Sequence, residues 1–266
     1  MSAPQNYLAE LESWKTRRVV ALKGPDGWLN IIGRFWLETG TVTVGTAADN
    51  DLVLSTGPAH VGSITQDETG GVTFTPAGGG EPLVLKRDKK HPPRFTVENL
   101  LLEVTTLNGE NALRIRDTAS TEPAELEEIS YFPADPAWRI EAQWVPLETP
   151  KGMTVDTSKS IPTDVEATHK AVFTIDGQPF ELFATHGTPQ SPQFVIRDLT
   201  SRDSTYPASR FVFGEDVTEN TIVLDFNKAI NPPCAFTEHA VCPLPPPENV
   251  LPVRIEAGEK RLANSH

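Results

Sequence analysis

The chain has little cysteine, no long apolar run and no excess of basic charge. Its two cysteines, Cys234 and Cys242, cannot supply the disulfide framework that holds small secreted domains together. No stretch approaches the ~18 uninterrupted apolar residues of a membrane-spanning helix. Lys and Arg number 23 against 36 Asp and Glu, for a net charge of −13. With no basic stripe to displace counterions, that balance opposes non-specific binding to nucleic acid or to an anionic membrane. The opening residues lack the basic and apolar regions of a secretory signal, so a cytoplasmic location is expected. A Gly-x-Ser-x-Gly elbow, a Walker motif and a dinucleotide fingerprint are all missing, and no cofactor is expected.

Hydrophobic residues at 38% and charged residues at 22% describe an ordinary globular chain, long enough at 266 residues for one large or two small domains. Residues 6–22 read as a helix. Leu8, Leu11, Lys15, Val19 and Leu22 form one stripe, Asn6 is placed to cap it, and Gly24-Pro25 stops it. Beyond that point helix signals nearly vanish. Short β-type runs take their place at 28–37, 41–45, 51–54, 61–66, 72–75, 83–85, 94–106 and 112–116, broken by Gly, Pro, Asn and Asp. A polar, acidic stretch at 118–130 marks a boundary. The second half opens with 138–145, where Trp138, Ile140, Ala142 and Trp144 alternate with polar residues. Further strands are expected at 172–175, 179–184, 194–199, 210–214, 222–227 and 253–257. Asn108-Gly109 and Asp176-Gly177 read as two-residue hairpin turns. The expected fold is therefore mostly β: an N-terminal helix (1–24) followed by two small antiparallel β-sandwich or barrel-like halves packed together (25–117 and 131–266), with 118–130 as linker.

Two blocks carry a family resemblance. One is YFPADPAWR at 131–139; the other runs from Leu224 through Cys234, then from Cys242 to Asn249 and from Ala257 to Lys260. Together with Gly27-Trp28-Leu29 and Asp49-Asn50-Asp51, these blocks resemble domain-of-unknown-function family 1684 over nearly the whole chain. Residues 200–205 depart from the glycine-containing pattern expected before Tyr206. The resemblance implies a fold and a region of interest, and it carries no assigned chemistry.

That region is 228–252, which holds seven prolines, both cysteines, His239, Glu248 and Asn249. A connection this long without regular structure points to an ordered loop that shapes a pocket, or to one that covers an edge. The runs 206–213 and 222–227 lead into it and should form a hairpin. Setting Phe211 and Phe213 on the same face as Ile222, Leu224 and Phe226 places Arg210 across from Asp225, with Tyr206 and Asn227 beside them. In this reading Arg210 holds an anionic group, Asp225 orients it, Tyr206, Asn227 and Asn249 supply hydrogen bonds, and Glu248 or Glu259 is the acid/base. A solvated surface ion pair is the plainer alternative.

Cys234, His239 and Cys242 are residue types that bind zinc, but no fourth ligand accompanies them, and two free thiols or a short disulfide compete with that reading. The first half offers a rival function. Residues 42–54 followed by Ala59-His60 faintly resemble a forkhead-associated phosphothreonine reader, with Thr46 where such modules carry arginine and Pro58-Ala59 near where they carry serine. Two functions are thus in play. One is binding, with hydrolase-like catalysis conceivable, of a small anionic ligand in the C-terminal half. The other is protein interaction through the N-terminal β half. Oligomeric state is not legible.

Overall fold

A computed structural model describes residues 6–263 other than 87, 89, 90 and 127. The chain divides into two compact units, Val20–Leu126 and Met1–Val19 with Glu127–His266. The helix α1, the one long helix among the described residues, covers Tyr7–Lys23 and passes from one unit to the other. Among the described residues, no helix is long and apolar enough to cross a membrane. The stripe of α1 begins one residue earlier than the sequence pattern indicates. Tyr7, Leu11 and Leu22 are buried, whereas Leu8 is 54% exposed.

In the unit Val20–Leu126 the strands are β1 (Ile31–Trp36), β2 (Gly40–Gly45), β3 (Leu52–Val53), β4 (Gly62–Gln66), β5 (Val72–Pro76), β6 (Leu83–Leu85), β7 (Arg94–Val97), β8 (Leu100–Leu107) and β9 (Glu110–Asp117). They form two sheets, ordered β1-β9-β8-β7 and β3-β2-β4-β5-β6. All neighbours are antiparallel except β2 and β3. Alternation along the strands turns Leu100, Leu102, Leu113 and Ile115 of one sheet, and Val44, Ile64 and Phe74 of the other, into one shared core. Asn108 and Gly109 both adopt positive φ (51° and 87°) in the turn between β8 and β9, as a two-residue hairpin requires. The expected continuous run 94–106 is in fact two strands, because Glu98 turns the chain with φ of 52°.

The other unit carries β10 (Arg139–Val155), β11 (Thr163–Ile175), β12 (Gln178–Phe183), β13 (His186–Thr188), β14 (Ser191–Ile196), β15 (Arg210–Glu215) and β16 (Thr221–Asp225). These make one antiparallel seven-stranded sheet in the order β12-β11-β10-β16-β15-β14-β13. Asp176 and Gly177, with φ of 50° and 76°, turn β11 into β12 with Ile175 opposite Gln178. Trp144, Phe173, Phe194, Ile196, Val212, Ile222, Leu224 and Phe226 fill its core.

Two expectations for this unit fail. Residues 253–257 are not a strand: the carbonyls of Ile255 and Ala257 accept hydrogen bonds from the buried Arg210 guanidinium instead of from a neighbouring strand. The β15–β16 hairpin exists, but its register is Gly214 opposite Leu224 and Glu215 opposite Val223. Val212, not the phenylalanines, joins Ile222 and Leu224 in the core, and Phe213 is 45% exposed. Phe211 meanwhile exchanges both backbone hydrogen bonds with Ile230 of the following loop, at 2.9 and 3.0 Å.

That loop is ordered because it is stitched to the sheet in three places. Ile230 binds Phe211. The amide of Ser158 donates to the Cys242 carbonyl at 2.8 Å, and that of Leu244 to Asp156 at 2.9 Å. Asn249 and Leu251 pair with Arg197, at 3.1 and 2.8 Å. Proline removes donors between these stitches and narrows the unfolded chain that must be ordered.

Candidate functional site

Five of the residues singled out in the sequence, Arg210, Asp225, Asn227, Asn249 and Glu259, are buried scaffold. Arg210 is 1% exposed and pairs with Asp198 at 2.9 Å, not with Asp225. Asp198 also accepts from the Ile255 amide at 2.7 Å and from the Thr200 hydroxyl. Burial pulls the Arg210 guanidinium down, and Asp198 opposes that pull. A cation enclosed this way has no face left for a ligand anion.

Asp225 and Asn227 meet Tyr7 of α1. The Tyr7 hydroxyl donates to both Asp225 oxygens (2.9 and 3.1 Å) and accepts from the Asn227 amide at 2.8 Å. Asn227 also bonds the backbone of Asp135 in both directions, at 2.9 and 3.1 Å. Burial first, and then the Asp225 charge, push the Tyr7 phenol up.

Glu259, fully buried, accepts from Arg18 Nε at 3.0 Å and from the Asn231 amide at 2.7 Å. Tyr131 approaches the same carboxylate at 3.4 Å. It anchors α1 and is not free to shuttle protons. Asn249 spans two strands with its side chain alone: its amide group donates to the Phe183 and Val195 carbonyls at 2.9 and 3.0 Å, and its oxygen accepts from the Phe183 amide at 2.8 Å.

Glu248 is held by Lys151 at 2.5 Å, and that hydrogen bond keeps its carboxyl below the usual range. A carboxylate so stabilised is a poor general acid. The zinc alternative does not assemble either: no cluster of three His, Cys, Asp or Glu groups able to hold a metal occurs among the described residues. In the first unit, Thr46 turns its hydroxyl onto the Gly57 and Pro58 carbonyls (3.5 and 3.3 Å), so it offers no phosphate grip.

What remains is a cleft of about 310 Å³ in the second unit, lined by Ser158, Lys159, Tyr206, Cys234, Thr237 and Glu238 among others. The 228–252 loop supplies Cys234, Thr237 and Glu238. The β10–β11 connection supplies Ser158 and Lys159, and the stitch between Ser158 and Cys242 fixes the two walls together. The Tyr206 hydroxyl donates to the Cys234 carbonyl at 3.3 Å, so the phenol stands against the thiol-bearing turn Pro233–Ala235.

Neither Cys234 nor Cys242 is in a disulfide, and both are buried. The Cys234 amide donates to Cys242 Sγ at 3.2 Å, and the Cys242 amide donates to the Ser158 hydroxyl at 3.1 Å. Hydrogen bonds from the Cys242 side chain first, then from Tyr206 and Ser158, outweigh burial and bring the Cys234 thiol down to about 7. The Tyr206 phenol moves the opposite way, raised by burial and by the neighbouring thiol.

Tyr206 and Cys234 were visible in the sequence, but Ser158 and Lys159 were not: they lie almost fifty residues before Tyr206, in a turn with no motif. A smaller hollow of about 180 Å³ sits beside Trp144, His169 and His186. His169 stacks on Trp144 at 4.9 Å, and burial pushes the His186 imidazole below its ordinary value.

The profile of the family described as "Protein of unknown function (DUF1684)" matches residues 124–260, just over half of the chain. The chain belongs to this family. Every residue of the cleft falls inside the DUF1684 match, from Ser158 to Ala240. The chain is also similar to the solution NMR structure of an uncharacterized protein from gene locus rrnAC0354 of Haloarcula marismortui. Identity is 30%, over 55% of this chain and 82% of that one, with a TM-score of 0.44. No curated protein matches the chain.

Proposed function

We propose that the DUF1684 unit of this chain binds a small polar molecule in the cleft between Tyr206, the 156–160 turn and the 228–252 loop. One observation carries the reading: a proline-stiffened loop, stitched at three points, encloses about 310 Å³ around a thiol, a phenol, an ammonium and a carboxylate. The ligand's polar groups would meet Ser158 and Tyr206 within, and Lys159 and Glu238 at the wall. Lys159 takes the anion-binding role that the sequence assigns to Arg210, while Asn249 ties the loop to Phe183 and Val195.

A thermal-shift screen against metabolites tests this. A ligand present at 100 times its Kd stabilises the folded state by ~2.7 kcal/mol. The expected ligand loses its effect in Thr237→Trp, which fills the cleft. Full stabilisation of that variant by every hit would overturn the reading.

A further inference from the structure

We propose that Cys234 and Cys242 form a two-cysteine centre that reduces small hydroperoxides, with Cys234 attacking the peroxide and Cys242 resolving the product. The inference rests on the cleft admitting a small molecule, and it names the class of molecule consumed there.

The two sulfurs have different places. Cys234 lines the cleft, while Cys242 lies behind it and is not among the lining residues. They are nonetheless in direct contact: the Cys234 amide points at Cys242 Sγ from 3.2 Å, and the two side chains share a hydrogen bond. Cys242 is fixed from the other side by its backbone bonds to Ser158. A cysteine that is 6% exposed, in a cleft of about 310 Å³, suits an oxidant of a few atoms better than a peptide or glutathione disulfide. A low thiol pKa beside a second cysteine is the arrangement in which a sulfenic acid forms and is resolved.

The Cys234 thiolate attacks the terminal oxygen of R–O–OH. An S–O bond forms, the O–O bond breaks, and RO⁻ leaves and takes up the proton that the thiol released. The Tyr206 and Ser158 hydroxyls line the cleft with Cys234 and favour its thiolate form. Cys242 then attacks Cys234–SOH, and water departs. Two thiols and one hydroperoxide become one disulfide, one alcohol and one water, with two electrons passing from sulfur to oxygen. A low-molecular-weight dithiol restores both thiols and is itself oxidised to its disulfide.

The test treats the reduced full chain with hydrogen peroxide or a small alkyl hydroperoxide and reads intact mass and peptide maps. The expected result is loss of two hydrogens with a Cys234–Cys242 link. In Cys242→Ser, dimedone should trap a sulfenic acid at Cys234. That oxidation should run about tenfold or more faster than oxidation of Cys242 in Cys234→Ser.

Three results would overturn the proposal: oxidation at Cys242 first, no link in the wild-type chain, or glutathione disulfide forming the link faster than peroxide does. Protection of Cys234 from alkylation by a ligand found in the thermal-shift screen separates the two readings. Protection without peroxide oxidation sinks the redox centre alone, whereas no protection by any ligand removes the binding site beneath it.

Discussion

Arg210→Ala is the sharpest test of how this fold is held together. The wild-type guanidinium bonds Asp198 at 2.9 Å and the Ile255 carbonyl at 3.1 Å, and it also binds the Ala257 carbonyl. Arg210 and Asp198 are 1% and 3% exposed. Truncation leaves Asp198 a buried carboxylate without its cation, and two carbonyls without a donor. Removing one partner of a buried pair typically costs ~3–5 kcal/mol. At about 2–4 °C per kcal/mol for a unit of this size, the melting transition should fall by roughly 6–20 °C. Urea unfolding followed by Trp138 and Trp144 fluorescence reads the same loss.

Arg210→Met with Asp198→Asn in one chain should recover part of the loss, because the orphaned charge is gone. A single substitution costing under ~1 kcal/mol would mean that the pair is a solvated ion pair after all. The account of residues 253–257 as a segment held by an arginine would then be refuted.

Other substitutions separate further claims. Tyr7→Phe removes the hydroxyl shared by Asp225 and Asn227 and should cost about 1–3 kcal/mol in urea unfolding; an unchanged midpoint would show that α1 is not docked through this phenol. Asn249→Ala leaves the Phe183 amide and the Phe183 and Val195 carbonyls unpaired, for a loss of roughly 2–4 kcal/mol, with faster hydrogen exchange at the Phe183 amide as the local readout. Iodoacetamide should alkylate Cys234 with a midpoint near pH 7, set with Cys242, Tyr206, Lys159 and Glu238 around it, and Tyr206→Phe should move that midpoint upward. Because the folded thiol sits below the ordinary thiol value of 9.0, its stabilising contribution is full above pH 9 and is lost as pH falls through about 7. Urea midpoints that rise from pH 7 to pH 9 in the wild type, and less in Cys234→Ser, would carry that sign.

Local chemistry was legible in the sequence wherever a short segment decides its own conformation. Asn108-Gly109 and Asp176-Gly177 turn as read, since two adjacent positive-φ positions leave few residue choices. The alternation from Trp138 to Trp144 matches β10. Long-range facts were not legible. The hairpin register was argued by assuming that phenylalanine seeks the core and arginine seeks water. Here Phe213 is exposed, Val212 takes the core position, and Arg210 is buried because Asp198, from the segment following β14, satisfies it. Nothing local to residues 206–213 announces that partner. Likewise Tyr206 and Cys234 stood out by type, but the wall that makes a cleft of them comes from the β10–β11 turn.

The docking of α1 has a consequence for the order in which this protein is made. Tyr7 waits for a carboxylate 218 residues downstream, and Arg18 for one 241 residues downstream. At about 5–20 residues per second, the ribosome exposes the helix roughly ten to fifty seconds before its last anchor is synthesised. A 17-residue helix is marginal in water without tertiary partners, so through that interval α1 flickers between helix and coil. Chaperones meeting the nascent chain encounter Tyr7 and Leu11 uncovered. This helix, translated long before its anchors, is therefore among the last elements to be locked, and a ribosome stalled before Glu259 leaves it without that lock.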